Sequence, residues 1–259
     1  DLEELYHRRL NSAVASCADP KAAAHAMAAM AIAGEAPPKR IISHVDPTGL
    51  DALLATGLIR EEGGLLRFED TALRETARRL AIELPQAPEI HEELAEAWQV
   101  LGESTGMAVN LPLGLHQLQA GKASEAIAPL ERAVRSMLDQ GRSLAAARAA
   151  DLAIAAADTA AAGDSRGSTE HRQEARRLKA LAMLESDRPE AAQNLAREGL
   201  DLQGGLPLCE ARLSHVLAQA WLAQGQVAEA QDLLEEVEQY RHSDVGALLF
   251  AVSSGDIVN

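Results

Sequence analysis

Residues 113–134 read LGLHQLQAGKASEAIAPLERAV, and residues 217–238 read LAQAWLAQGQVAEAQDLLEEVE. Laid over each other without a gap, both place a Gly five residues before an Ala and nine before a Leu: Gly121, Ala126 and Leu130 in the first, Gly225, Ala230 and Leu234 in the second. Each position has a physical task. The Gly ends one helix in a left-handed cap, the small Ala lets the next helix approach closely, and the Leu fills the gap to the following hairpin. A weaker copy places Ala191 and Leu195 in SDRPEAAQNLARE, and another uses Gly141, Ala146 and Ala150. One such hairpin cannot bury its own apolar face, so neighbours must stack. Gly225 follows Gly121 by 104 residues, close to three units of a helical repeat of roughly 34 residues.

Composition agrees with close helical stacking. Hydrophobic residues make up 47% of the 259, enough to bury a core, yet aromatics are only 2%. Alanine is the best helix former, and the β-branched and aromatic residues that sheets favour are scarce. The expected class is therefore mainly α. The net charge of −15 means that any affinity for phosphate backbones must be argued locally, because such affinity rests on Lys and Arg releasing counterions. Cys17 and Cys209 form no CxxC and point to a reducing, cytoplasmic compartment. The most apolar run, 22–34, has 13 residues with His25 inside it. That is shorter than the roughly 20 needed to span a bilayer, so it reads as a buried helix and no membrane partner is expected. The chain opens on Asp1 without a Met, and we expect it to be part of a longer protein.

Punctuation then divides the chain. Residues 1–16 form one helix, read as a leading helix from an upstream domain. Asp19-Pro20 and Asp46-Pro47 each offer an N-cap followed by Pro at the first helical position, opening helices over 20–33 and 47–56 with a short one at 38–45 between them. In LIREEGGLLRF (58–68) the period changes to that of a tight hairpin around Glu62-Gly63-Gly64. Asp70 caps a helix to about residue 84, with Leu73, Ala77, Leu80, Ala81 and Leu84 on one face. Three helices, a hairpin and a helix make the order of a winged helix, assigned to 17–84. From residue 85 on, only helices are expected: 88–101, 107–120, 123–139, 143–161, 168–185, 189–200, 206–224, 227–240 and 243–252.

The repeats resemble tetratricopeptide repeats, with Trp221 at the mid-helix aromatic position of the last unit and Gln117 in its place in the first. The succession LLATGLIREEGGLLRFEDTALRETARRL (53–80), IHEELAEAWQVLG (90–102), then the repeats resembles the region of bacterial STAND signalling ATPases that follows the nucleotide-binding core. Glu69-Asp70 stands where many relatives carry a His-Pro-like pair. The resemblance implies a winged helix that relays to an upstream ATPase domain and a tetratricopeptide-like α-solenoid over 85–259. It also implies that ATP binds upstream only, with no cofactor, metal or catalytic residue in this chain.

Several motifs suggest chemistry. Gly163-Asp164-Ser165-Arg166-Gly167 fits the G-x-S-x-G nucleophile elbow, which requires a strand before the Ser and a helix after it. The preceding AADLAIAAADTAAA is helical, so the segment reads as a loop between two hairpins. QAGKAS (119–124) has His116 and Ala123 where a phosphate loop needs Gly and Ser or Thr. The eight histidines form no metal-binding spacing, and Glu61-Glu62 and Glu92-Glu93 read as solvated surface. DNA binding is the alternative a winged helix suggests. Its usual reader would be the helix at 47–56, PTGLDALLAT, which holds no Lys, Arg, Asn or Gln and carries Asp51. A stand-alone repeat scaffold is a further alternative.

A groove remains. Helix A of each tetratricopeptide unit lines the concave face, which points Gln173, Arg176, Arg212, His215 and Gln219 inward, with Arg172, Arg177 and Lys179 nearby. Such a cluster suits an acidic protein or peptide segment held by charge-assisted hydrogen bonds. Against this, Glu170, Glu174 and Glu210 lie one turn away and could pair with the same cations.

Overall fold

A computed structural model describes residues 2–106, 108–162, 168–202 and 204–242 of the chain. The described residues are mainly helical, with one small two-stranded antiparallel sheet. Contacts separate two compact units, residues 1–122 and 123–259. The candidate elbow around Ser165 and the helix expected at 243–252 lie outside the described residues.

The first unit contains α1 (Leu2–Ala15), α2 (Pro20–Ala33), α3 (Lys39–Val45), α4 (Pro47–Thr56), β1 (Ile59–Glu62), β2 (Leu65–Phe68), α5 (Thr71–Ile82), α6 (Ala87–Thr105) and α7 (Asn110–Gln119). The three aspartates expected as caps do cap. Asp19 accepts from the amides of Lys21 and Ala22, Asp46 from Gly49 at 2.8 Å, and Asp70 from Ala72 at 2.7 Å. Helix α2 owes its nearly unbroken apolar sequence to its position, because α1, α3, α4, α5 and α6 all pack against it. Gly63 and Gly64, at φ 60° and 80°, turn the hairpin and pair Glu62 with Leu65.

One feature of this unit was not read from the sequence. The residues before α3 add a short third rung to the hairpin: Pro38 bridges Leu65, the Leu66 amide donates to the Pro37 carbonyl, and the Lys39 amide donates to the Gly64 carbonyl.

The packing does not break after residues 16 and 84, where domain boundaries were expected. Leu10 of α1 is fully buried in the same core as Met30, Ile42 and Leu53. The Tyr6 hydroxyl donates to Asp70 Oδ2 at 3.2 Å, and Arg9 pairs with Glu69. Farther on, Ile90, Leu94 and Trp98 of α6 belong to that core as well. The reason is amphipathicity: both α1 and α6 carry an apolar stripe, and burying it here removes more surface from water than a free helix could.

The second unit contains α8 (Ala123–Asp139), α9 (Ser143–Ala161), α10 (Ser168–Glu185), α11 (Pro189–Leu200), α12 (Pro207–Ala223) and α13 (Val227–His242). Each helix packs on the next, and α10 also touches α8 and α12, so alternate helices share a layer. Close approach depends on alanine. Helix α9 buries seven alanines and no larger apolar side chain.

The helix-ending turns repeat with one hydrogen-bond pattern. The amides of Gly121, Gly141, Asp187 and Gly225 reach back to the carbonyls of Leu118, Leu138, Leu184 and Leu222, and the next amide in each case reaches the carbonyl one residue earlier. This is the Schellman arrangement, which needs a left-handed residue; φ there is 79°, 68°, 57° and 78°. Five residues after each turn stand Ala126, Ala146, Ala192 and Ala230, all fully buried. The copy expected at Ala191 and Leu195 is thus shifted by one residue. Asp187 holds the glycine position, and Ala192 and Ala196 face the core.

Asp187 is the one non-glycine residue with positive φ among the described residues, which sets up a test. Asp187→Gly relieves the left-handed strain and should stabilise by about 0.5–1 kcal/mol, whereas a β-branched Asp187→Val should cost about 1–2 kcal/mol. Denaturant unfolding of the two variants should therefore move in opposite directions.

Candidate functional site

The polar residues of the α8, α10 and α12 layer fall into two sets. The first lies between helices. On α10, Arg176 makes a two-pronged contact with Asp158 of α9, at 3.2 Å and 2.9 Å, while Arg172 Nε donates to Asp158 Oδ1 at 2.7 Å. Lys179 pairs with Asp151 at 2.6 Å. On its other side, α10 presents Glu174. That carboxylate accepts from Arg177 at 2.7 Å through both oxygens and from Arg135 of α8 at 2.8 Å, and Arg135 also bonds Glu131 at 3.0 Å. His171 closes the chain on Glu131 at 3.0 Å.

Burial shapes this network. Burial alone would raise the Glu174 carboxyl, but the guanidinium hydrogen bonds of Arg177 and Arg135 outweigh it and hold its pKa below the ordinary value. Asp158 follows the same pattern, with burial opposed and outweighed by Arg176 and Arg172. The hydrogen bond that His171 donates to Glu131 raises its pKa, against a smaller opposing effect of burial. Next to the network, burial first and then Glu174 and Glu170 raise the Cys209 thiol, leaving it a poor nucleophile.

The second set is open. Arg212, His215 and Gln219 are exposed and lie on one face of α12, spaced three and four residues apart. Arg212 has no hydrogen-bond or ion-pair partner among the described residues. The five residues expected to line one groove are thus divided. Gln173 is fully buried, donates to the carbonyls of Gly199 and Leu202, and fills the space a Cβ on Gly205 would need. Arg176 is committed to Asp158. The acids that neutralise the α10 cations are mostly on neighbouring helices rather than one turn away, with Glu174 and Arg177 the exception. Sequence reasoning found neither Asp158 nor the Glu131–Arg135–Glu174 link. The i, i+3 spacing of His171, Glu174 and Arg177 was the local signal available.

A third cluster lies in the first unit. His91 of α6 and His116 of α7 meet Nδ1 to Nδ1 at 2.9 Å. Burial, helped by His91, pushes His116 down to about 3, and burial also lowers His91. Both rings are therefore neutral at pH 7. Among the described residues no group of three or more His, Cys, Asp or Glu is placed to hold a metal ion, and no helix is long and apolar enough to cross a membrane. No family model, curated protein or solved structure matches the chain.

Proposed function

We propose that the chain is a non-catalytic regulatory and protein-binding module of a larger bacterial signalling ATPase. In this reading α2 to α5 with the hairpin form a winged helix that relays to a nucleotide-binding domain, and the later helices form a tetratricopeptide-like solenoid that receives a partner. The repeated turn carries it: the same left-handed cap, followed five residues later by a fully buried alanine, recurs at Gly121, Gly141, Asp187 and Gly225. The rung that Pro38 adds beside β2 further supports the winged helix.

The occupant of the solenoid face is an acidic peptide segment, met by Arg212, His215 and Gln219. Duplex DNA suits the first unit poorly. Helix α4 offers no Lys, Arg, Asn or Gln to read base edges, and it carries Asp51. Three of the basic groups around the hairpin are engaged by its own acids: Arg60 and Arg67 both pair with Glu62, and Lys39 pairs with Glu61 at 2.8 Å.

Panning a random-peptide library against the full chain tests the reading. Acidic sequences should be enriched, and Arg212→Glu should reduce their binding at least about tenfold, because a repulsive pair replaces an attractive one. Enrichment indifferent to Arg212→Glu would reject the α12 face. ATP turnover by the purified chain would reject the non-catalytic role, and tight, salt-dependent duplex binding would favour the regulator of transcription.

A further inference from the structure

His91 of the histidine pair borders a cleft of about 460 Å³ in the first unit, within the size range of small-molecule sites. Its walls are aliphatic, with Ile82 half-exposed and Leu84 and Leu115 beside it. Three polar groups interrupt them: Arg78 of α5, His91 of α6 and Gln119 of α7. Arg78 is exposed and has no hydrogen-bond or ion-pair partner among the described residues, so its charge is available.

The histidine pair decides what the cleft offers. Two neutral rings meeting through Nδ1 share one proton between those nitrogens. His116 is 1% exposed, and its Nε2 is buried with no partner. A buried orphan N–H is costlier and rarer than a buried orphan acceptor, so His116 carries its proton on Nδ1 and donates it to His91. His91 then accepts through Nδ1 and carries its own proton on Nε2, the ring edge turned away from His116. The cleft is thus lined by His91, whose remaining donor is Nε2–H, by a guanidinium and by a carboxamide, with no carboxylate among its lining residues.

We propose that this cleft binds a small monocarboxylate with an aliphatic tail, the carboxylate held by Arg78 and the His91 Nε2–H, with Gln119 beside them, and the tail lying on Ile82, Leu84 and Leu115. A carboxylate bonded by a guanidinium and an imidazole N–H makes charge-assisted hydrogen bonds, and the half-exposed Ile82 gains burial from the tail.

Octanoate below its micellar concentration is the probe, with octylammonium and octan-1-ol as matched controls, titrated into the full chain by calorimetry and by imidazole nitrogen NMR. Saturable octanoate binding is expected at about 1 mM or tighter, with a shift at His91 Nε2 and with both controls at least about tenfold weaker. Arg78→Met, which keeps the apolar stem of an exposed residue, should weaken octanoate by about tenfold and leave octan-1-ol unchanged. Equal binding of octanoate and octan-1-ol, or octanoate binding indifferent to Arg78→Met, would overturn the proposal. So would tighter binding of a short peptide ending in leucine, which would make the cleft a site for chain ends.

Discussion

Gly49→Ala should destabilise the first unit by about 3–5 kcal/mol, the scale of a severe core overpacking. A Cβ on Gly49 would stand 2.1 Å from the Ala22 carbonyl oxygen, 2.5 Å from its carbon and 2.9 Å from Ala26 Cβ. Two of these atoms are backbone, so no side chain can rotate aside, and relief requires moving α4 off α2. That movement would loosen the core around Ala23, Ala26, Leu50 and Leu53, all essentially fully buried. Urea unfolding followed by circular dichroism measures the loss. An unchanged midpoint would mean that α2 and α4 do not cross at this distance. Ala26→Gly removes only one of the three contacts and should rescue Gly49→Ala weakly.

Glu174→Ala should cost the second unit about 2–4 kcal/mol, because it leaves Arg177, with its side chain 17% exposed, without its carboxylate. The lower end allows for Arg135, whose side chain is 44% exposed and can recover hydration. Glu174→Gln keeps the volume and should cost less, about 1–2 kcal/mol. The effect depends on pH. The folded pKa of Glu174 lies below the ordinary 4.5, so its contribution is present in full above about pH 4.5 and is lost as pH falls through the folded value. The gap between wild type and Glu174→Gln should therefore be wide at pH 7 and close in acid. A gap that is constant from neutral to strongly acid pH would show that the carboxylate charge does not matter.

These two effects differ in how far the sequence announced them. Asp46-Pro47 marked the start of α4, and Gly49 sits in the turn that Asp46 caps, so the helix itself was legible. That a Cβ at Gly49 would strike Ala22 was not, because the crossing point of two helices depends on how each is rotated about its axis. Glu174 was seen only as a possible neighbour for arginines on its own helix. Its partner Arg135 lies 39 residues away. The groove expectation failed to anticipate Gln173 for the same reason: a polar side chain at a helical position reads as outward until a neighbouring backbone, here Gly199 and Leu202, takes its hydrogen bonds.

The sequence by itself marked the helices of the described residues and most of their ends, although α6 continues to Thr105 beyond its expected end at 101. Caps, glycines and buried alanines act within about nine residues, a range in which backbone geometry is set by the residues themselves. Even Asp187 follows this rule, since the turn after α10 has the same hydrogen bonds as its glycine counterparts. Tertiary structure alone decided which polar groups are available. It spent Arg176 on Asp158, buried Gln173, joined His91 to His116 and left Arg212 and Arg78 open. Those outcomes depend on pairs brought together from distant segments, where the cost of an unpaired buried charge or N–H outweighs any local preference.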